Sequence, residues 1–204
     1  IYSSALTEDQ IKIDMNAGSA INLGTGQNEA NNLTDGAGNP PVAYYPMDEN
    51  TGSSYTYDHS GNGLNMTLVY IDNSDWVPCK FGSCLDFDGT SEYAWYQDTT
   101  GSVLDITDAI TVEAWIKSRA NQGKYTRIVD KSYQTAWTFS SRGTGTNNLS
   151  VWINNAERAY TSDDVFSNNK WAHVAFTYDK NAGGTDEVKI YVNGTLVASG
   201  DYST

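Results

Sequence analysis

From Val42 onward, apolar and polar positions alternate with a period of two, the signature of half-buried strands. The pattern predicts strands at Ala43–Met47, Met66–Tyr70, Cys84–Phe87, Tyr93–Tyr96, Ala109–Ile116, Thr126–Lys131, Trp137–Ser141, Leu149–Ile153, Trp171–Tyr178, Val188–Val192 and Thr195–Ser199. Turn residues separate nearly all of them: Ser60-Gly61-Asn62-Gly63, Asp88-Gly89, Gly143-Thr144-Gly145, Asn181-Ala182-Gly183-Gly184 and Asn193-Gly194. The last is the strongest hairpin signal, because a type I′ turn needs two residues at positive φ. Many short strands at close spacing predict a sandwich or a barrel.

The N-terminal 41 residues break this pattern. Leu6–Asn16 reads as a helix, with Thr7 as N-cap, Glu8 and Asp9 in the first turn, and Gln10 completing a capping box. Leu6, Ile11 and Met15 share one apolar side, and Asn16-Ala17-Gly18 is expected to end the helix. Residues 17–41 are rich in Gly, Asn, Ser and Thr, end in Asn39-Pro40-Pro41, and read as a linker. Fully stretched, about 24 such residues span roughly 80 Å, so the linker does not fix where the helix docks.

Composition narrows the class. Apolar residues make up 39% and aromatics 12%, too aromatic for a disordered acidic chain. The net charge of −13, with no Lys/Arg cluster, argues against nucleic-acid binding. No apolar run approaches the roughly 20 residues of a membrane helix.

Several segments coincide, in order, with one family pattern: 43–52 (Ala-Tyr-Tyr-Pro-Met-Asp-Glu-Asn-Thr-Gly), 58–64 (Asp-His-Ser-Gly-Asn-Gly-Leu), 80–89 (Lys-Phe-Gly-Ser-Cys-Leu-Asp-Phe-Asp-Gly), 110–116 (Ile-Thr-Val-Glu-Ala-Trp-Ile), 171–179 (Trp-Ala-His-Val-Ala-Phe-Thr-Tyr-Asp) and 190–194 (Ile-Tyr-Val-Asn-Gly). Together they resemble the laminin-G-like domains of the concanavalin A-like lectin/glucanase superfamily. The resemblance implies an all-β fold, a two-sheet antiparallel jelly-roll sandwich. Ile1–Asn16 resembles the closing strand and helix of such a domain. The expected organisation is therefore a closing segment of a preceding or neighbouring repeat at 1–16, a linker at 17–41, and a jelly roll without its own closing strands at 42–204. Such a sandwich would leave apolar faces and unpaired backbone groups exposed. A segment equivalent to 1–16 is expected to close it, supplied by the same polypeptide or a neighbouring molecule, with Tyr2, Leu6 and Ile11 buried against a sandwich.

The resemblance also implies a structural calcium at the 58–63 loop, with Asp58 giving its carboxylate and Asn62 and Gly63 near the ion. The same residues equally fit a Gly-rich turn held by Asx hydrogen bonds. The acidic pair that often completes the metal shell in relatives is missing.

Cys79 and Cys84 flank a turn, and a cross-hairpin disulfide is the favoured reading. Their spacing is not the C-x-x-C of redox sites, and zinc would need two further ligands that His59 and His173 do not evidently supply. His173, between Ala172 and Val174, reads as a structural or a surface histidine rather than a ligand or base. Glycosidases of the superfamily carry paired acids as Glu-x-Asp-x-x-Glu. This chain has no such run, and Glu113 stands apart from other acids, so no catalytic residue is assigned.

Most aromatics read as core. Trp76, Trp95, Tyr96 and Tyr133 are less clearly inward and are candidates for stacking on sugar rings. Asn32, Asn65, Asn148 and Asn193 match glycosylation acceptors, common by chance in so Asn-rich a chain. Two functions follow. The first is a non-catalytic extracellular or cell-surface module of a repetitive or fibre-forming protein, acting in adhesion or assembly with neighbouring repeats or copies of itself. The second is a carbohydrate-binding module, appended to an enzyme, whose partners are glycans.

Overall fold

The computed structural model describes residues 1–20, 40–52, 54–120, 123–132, 134–144 and 146–202. Most of the linker expected at 17–41 lies outside the described residues. The fold is all-β, with antiparallel sheets and, among the described residues, one α-helix, α1 (Glu8–Ala20). Two compact units are present: Ile1–Tyr2 with Asn16–Ile106, and Ser3–Met15 with Thr107–Thr204. The boundary at 106/107 falls inside the span expected to form one jelly roll.

In the first unit, β1 (Tyr55–Thr56), β2 (Met66–Val69) and β5 (Tyr93–Trp95) form a three-stranded sheet in the order β1-β2-β5. β3 (Trp76–Pro78) and β4 (Ser83–Leu85) form a separate hairpin. The side chains of Leu68, Ile71 and Trp76 bury one another, with Leu85, Phe87 and Ala94 packed around them. The chain start is held here by backbone bonds. The Ile1 amino group donates to Ala43 O at 2.8 Å, and Val42 N donates to Ile1 O at 2.8 Å. The strand expected at Ala43–Met47 does not form a ladder. Pro46 has no N–H to donate, and Met47 sits at φ 53°, which breaks an extended run.

The second unit is the sandwich. One sheet runs β10 (Ala156–Tyr160), β9 (Leu149–Ile153), β8 (Trp137–Ser141), β7 (Arg127–Lys131). The other runs β13 (Thr195–Gly200), β12 (Val188–Val192), β11 (Trp171–Asp179), β6 (Ala109–Lys117). Because side chains alternate across a strand, Ala172, Val174, Phe176 and Tyr178 of β11 share a face. Phe176 from that face meets Phe139 at 5.4 Å and Trp137 at 5.7 Å, ring centroid to centroid. The aromatic contacts thus join the two sheets across the core.

The opposite face of β11 carries His173, Ala175 and Thr177, and these are buried as well. A sheet buried on both faces needs a second cover, and Ser3–Met15 supplies it. Leu6 N donates to Thr111 Oγ1 at 2.8 Å, and that hydroxyl donates to Ser4 O at 2.7 Å. Thr111 is the register partner of Thr177, so this contact lies on the second face. α1 follows directly. Gln10 N bonds Thr7 Oγ1 at 3.3 Å and Thr7 N bonds Gln10 Oε1 at 2.7 Å, a reciprocal capping box. The helix continues past the Asn16–Gly18 stop signal to Ala20. At its inner side Lys12 approaches Gly194 so closely that a Cβ there would lie 2.5 Å from Lys12 Cγ. Gly194 follows Asn193 in the tight turn, at φ 72° and 50° respectively.

Candidate functional site

The closing segment is the first candidate. Leu6 is 3% exposed and Ile11 0%, both within the sandwich unit, while Tyr2, 2% exposed, belongs to the first unit. Sequence separation makes the Leu6–Thr111 bond notable: it joins positions 105 residues apart. On the face these residues cover, His173 Nε2 lies 3.3 Å from Glu113 Oε2, and the His173 ring meets Trp115 at 5.3 Å. His173 is buried in strand β11, which sets aside the surface placement read as an alternative from its neighbours.

The 58–63 loop is organised by hydrogen bonds around one carboxylate. Asp58 Oδ1 accepts from Tyr44 N at 3.0 Å and Ser60 N at 2.9 Å. Asp58 Oδ2 accepts from Ser60 Oγ at 2.7 Å and Leu64 N at 3.1 Å. A carboxylate has about four acceptor sites, and here four donors occupy them. Asn62 turns its amide nitrogen to Val42 O at 3.0 Å. Gly61 and Gly63, at φ 94° and 71°, give the turn its shape. These contacts are those of an Asx-type turn. Burial pushes the Asp58 pKa up, but the bonds from Tyr44 N, Ser60 N, Ser60 Oγ and Leu64 N outweigh it, and the net shift is downward. Among the described residues, no group of three or more His, Cys, Asp or Glu side chains could hold a metal ion.

Cys79 and Cys84, both half-buried, lie at the β3–β4 hairpin. Cys84 pairs with Val77, and Cys79 N bonds Gly82 O at 3.0 Å. The two cysteines are therefore diagonal neighbours on one side of the hairpin.

The aromatic candidates separate. Trp76 is 7% exposed, sits in the core of its unit and donates from Nε1 to Gly52 O at 2.8 Å, so it cannot stack on a ligand. Trp95 is 43% exposed, Tyr96 is half-buried, and Tyr133 lies outside the described residues. The structure adds partners for Trp95 that the sequence reading missed. Tyr55, Thr67 and Trp95 are in register across β1, β2 and β5, and Tyr93 pairs with Val69 one step along. Tyr55 and Tyr93 are each 50% exposed, whereas Thr56, Leu68 and Ala94 point to the other face and are buried or half-buried. The signal was present as two aromatic–small–aromatic triplets, Tyr55-Thr56-Tyr57 and Tyr93-Ala94-Trp95. Of the glycosylation matches, Asn148 is buried and bonded to Gly143 N and Thr146 Oγ1, and Asn32 lies outside the described residues. Among the described residues, no helix is long and apolar enough to cross a membrane.

Comparison with known proteins fits the architecture. A laminin-G domain family, described as the Concanavalin A-like lectin/glucanases superfamily, matches residues 88–204. No curated protein matches the chain. A crystal structure of an S-layer domain-containing protein (residues 221-444) from Clostridium thermocellum is similar at 20% identity and a TM-score of 0.45, covering 79% of this chain and 73% of that one. The family match spans more than half the chain and includes all eight strands of the sandwich. The chain belongs to the concanavalin A-like lectin/glucanase superfamily, in its laminin-G-like branch.

Proposed function

We propose that the chain is a non-catalytic extracellular module of a repetitive surface or fibre-forming protein, and that its closing segment mediates assembly. The observation that carries this is the second cover of the β13-β12-β11-β6 sheet by Ser3–Met15, a segment remote in sequence from the strands it covers. A cover joined to its sheet through a long Gly- and Asn-rich stretch can close its own sandwich or that of another copy with the same contacts. Exchange of an identical element is a low-cost route to oligomers. The absence of a paired-acid run in the sequence supports a binding rather than a hydrolytic role.

Light scattering after size exclusion tests this across a range of chain concentrations, with a variant lacking residues 1–15 alongside. The full chain should form discrete oligomers as concentration rises. The shortened chain should associate irregularly and be returned to a defined species by a synthetic peptide of residues 1–16. A full chain that stays monomeric at every concentration, with a shortened chain that ignores the peptide, would contradict the proposal.

The exposed rings of Tyr55 and Trp95, in one row on either side of half-buried Thr67, favour a second reading, glycan binding. Sugar rings stack on flat aromatic faces, and neighbouring strands about 4.8 Å apart space such faces regularly. Glycan-array binding that disappears in Trp95→Ala, with assembly unchanged, would favour this reading. An array without signal removes it.

A further inference from the structure

The sheet β1-β2-β5 buries one face, with Thr56 and Leu68, and leaves the other open. On the open face Tyr55, Thr67 and Trp95 are in register, and Val69 pairs with Tyr93 in the next row. Tyr57, two residues on from Tyr55 and also exposed, extends the β1 side. Aromatic residues therefore line both outer strands, Tyr55 and Tyr57 on one side, Tyr93 and Trp95 on the other. Between them the middle strand offers only half-buried Thr67 and Val69. Strands about 4.8 Å apart put the two sides of this trough roughly 10 Å from each other. Large exposed rings gathered on one face mark an interaction site, whereas single ones are ordinary surface.

Charge says what fits the trough. Residues 1–2 and 16–106, which make the first unit, hold twelve acids and one basic side chain, Lys80. Residues 3–15 and 107–204 hold thirteen acids and eleven bases. Of the net charge of −13, the first unit therefore carries −11. Acids also border the trough itself. Glu92 precedes Tyr93, Asp58 follows Tyr57, and Glu49 Oε1 accepts from Tyr57 N at 2.7 Å and from Thr56 Oγ1 at 2.9 Å. Lys80 lies at the β3–β4 turn, its Nζ 5.3 Å from the Phe81 ring centre. Such a field repels anions and draws cations, and the faces of Tyr and Trp rings attract cations through their quadrupole.

We propose that this trough docks an extended, arginine-rich segment of a partner protein. Guanidinium groups stack on aromatic faces and pair with carboxylates through two parallel bonds, which ammonium groups do not. In an extended segment every second side chain points the same way, about 6.6–6.8 Å apart. Tyr55 and Tyr57, like Tyr93 and Trp95, are spaced by the same two residues, so alternate arginines meet successive rings. A neutral glycan would use the rings and leave the charge unused. This chain has no Lys/Arg cluster of its own to fill the trough, so the segment comes from a different protein. The proposal does not depend on the assembly reading, which concerns the other unit.

Calorimetric titration of the full chain with a synthetic peptide of alternating arginine and serine tests this, paired with amide chemical-shift mapping. The peptide should bind, with shifts concentrated at residues 55–57, 67–69 and 93–95. Trp95→Ala removes an exposed ring outside the core and should weaken binding about tenfold, as the loss of a desolvated cation–π contact does. The matching peptide of lysine and serine should bind more weakly than the arginine peptide. Binding that falls with added salt but is equal in wild type, Trp95→Ala and a Tyr55→Ala, Tyr93→Ala double variant would be diffuse charge attraction and would overturn the proposal. So would the absence of heat and shifts up to about 1 mM peptide, or neutral oligosaccharides shifting these residues where the peptide does not.

Discussion

Asp58 organises its loop through hydrogen bonds. Four donors converge on its two oxygens, three of them backbone N–H groups or hydroxyls from residues within the turn or just after it. Hydrogen bonds to a charged acceptor are worth about 1.5–3 kcal/mol each and are strongly non-additive, so Asp58→Ala should destabilise the first unit by about 3 kcal/mol. The pH dependence has a definite sign. The folded-state pKa of Asp58 is lowered, so the folded chain binds fewer protons than the unfolded one just below the ordinary carboxylate pKa of about 3.9. The stability Asp58 contributes is fully present above that value and is lost as pH falls through the lower folded-state pKa. Thermal melting from pH 7 down to pH 2 checks this. Wild type should lose stability steeply below about pH 4, and Asp58→Asn should flatten that part of the curve. From sequence, an Asp at the head of a Gly-rich turn reads the same whether it accepts N–H groups or coordinates a cation. What the sequence did not show is the part of Tyr44, distant in sequence, whose N–H takes one of the oxygens. Asn147 is a second case: its N–H bonds Asp164 Oδ1, 17 residues later, and nothing in its local sequence marks it.

At the scale of elements, the two sheets of the sandwich approach each other at their edges. β10 and β13 are the outer strands of their sheets, and a Cβ at Gly200 would lie 1.7 Å from the Arg158 carbonyl oxygen. Backbone faces backbone there, and the close approach shields two otherwise open edges. Gly200→Ala should therefore cost about 2–3 kcal/mol, the upper part of the range for overpacking, measured by chemical denaturation. A change within experimental error would show that the edge yields easily. The same edge shows what sequence pattern could and could not read. Strands β8, β9 and β12, with strict alternation and firm turns, were legible to the residue. β10 was not, because Ala156-Glu157-Arg158-Ala159-Tyr160 is short of apolar positions, and its hairpin turns on Asn154 and Asn155, at φ 50° and 62°, without a glycine to mark it. The helix cap was legible because Thr7 and Gln10 lie within one turn. The helix end was not, since backbone continuation past Gly18 goes against the local stop signal.

Across the whole molecule, the sandwich unit depends on a segment that precedes it by roughly half the chain. The helix of that segment was legible, because Thr7 and Gln10 mark its cap within one turn. Its docking was not, since the linker is long enough to reach several sites. The structure places Ser3–Met15 on the second face of the β13-β12-β11-β6 sheet, and the proposed assembly follows from that placement. Native-state hydrogen exchange of the full chain tests it most directly. The Leu6 amide and the amides of α1 through Met15 should be protected to a degree comparable with β6 and β11, because the segment and the sheet it covers open together. Exchange of residues 3–15 at unprotected rates, beside slow exchange in β6 and β11, would contradict the account: the sandwich would then be complete without its cover.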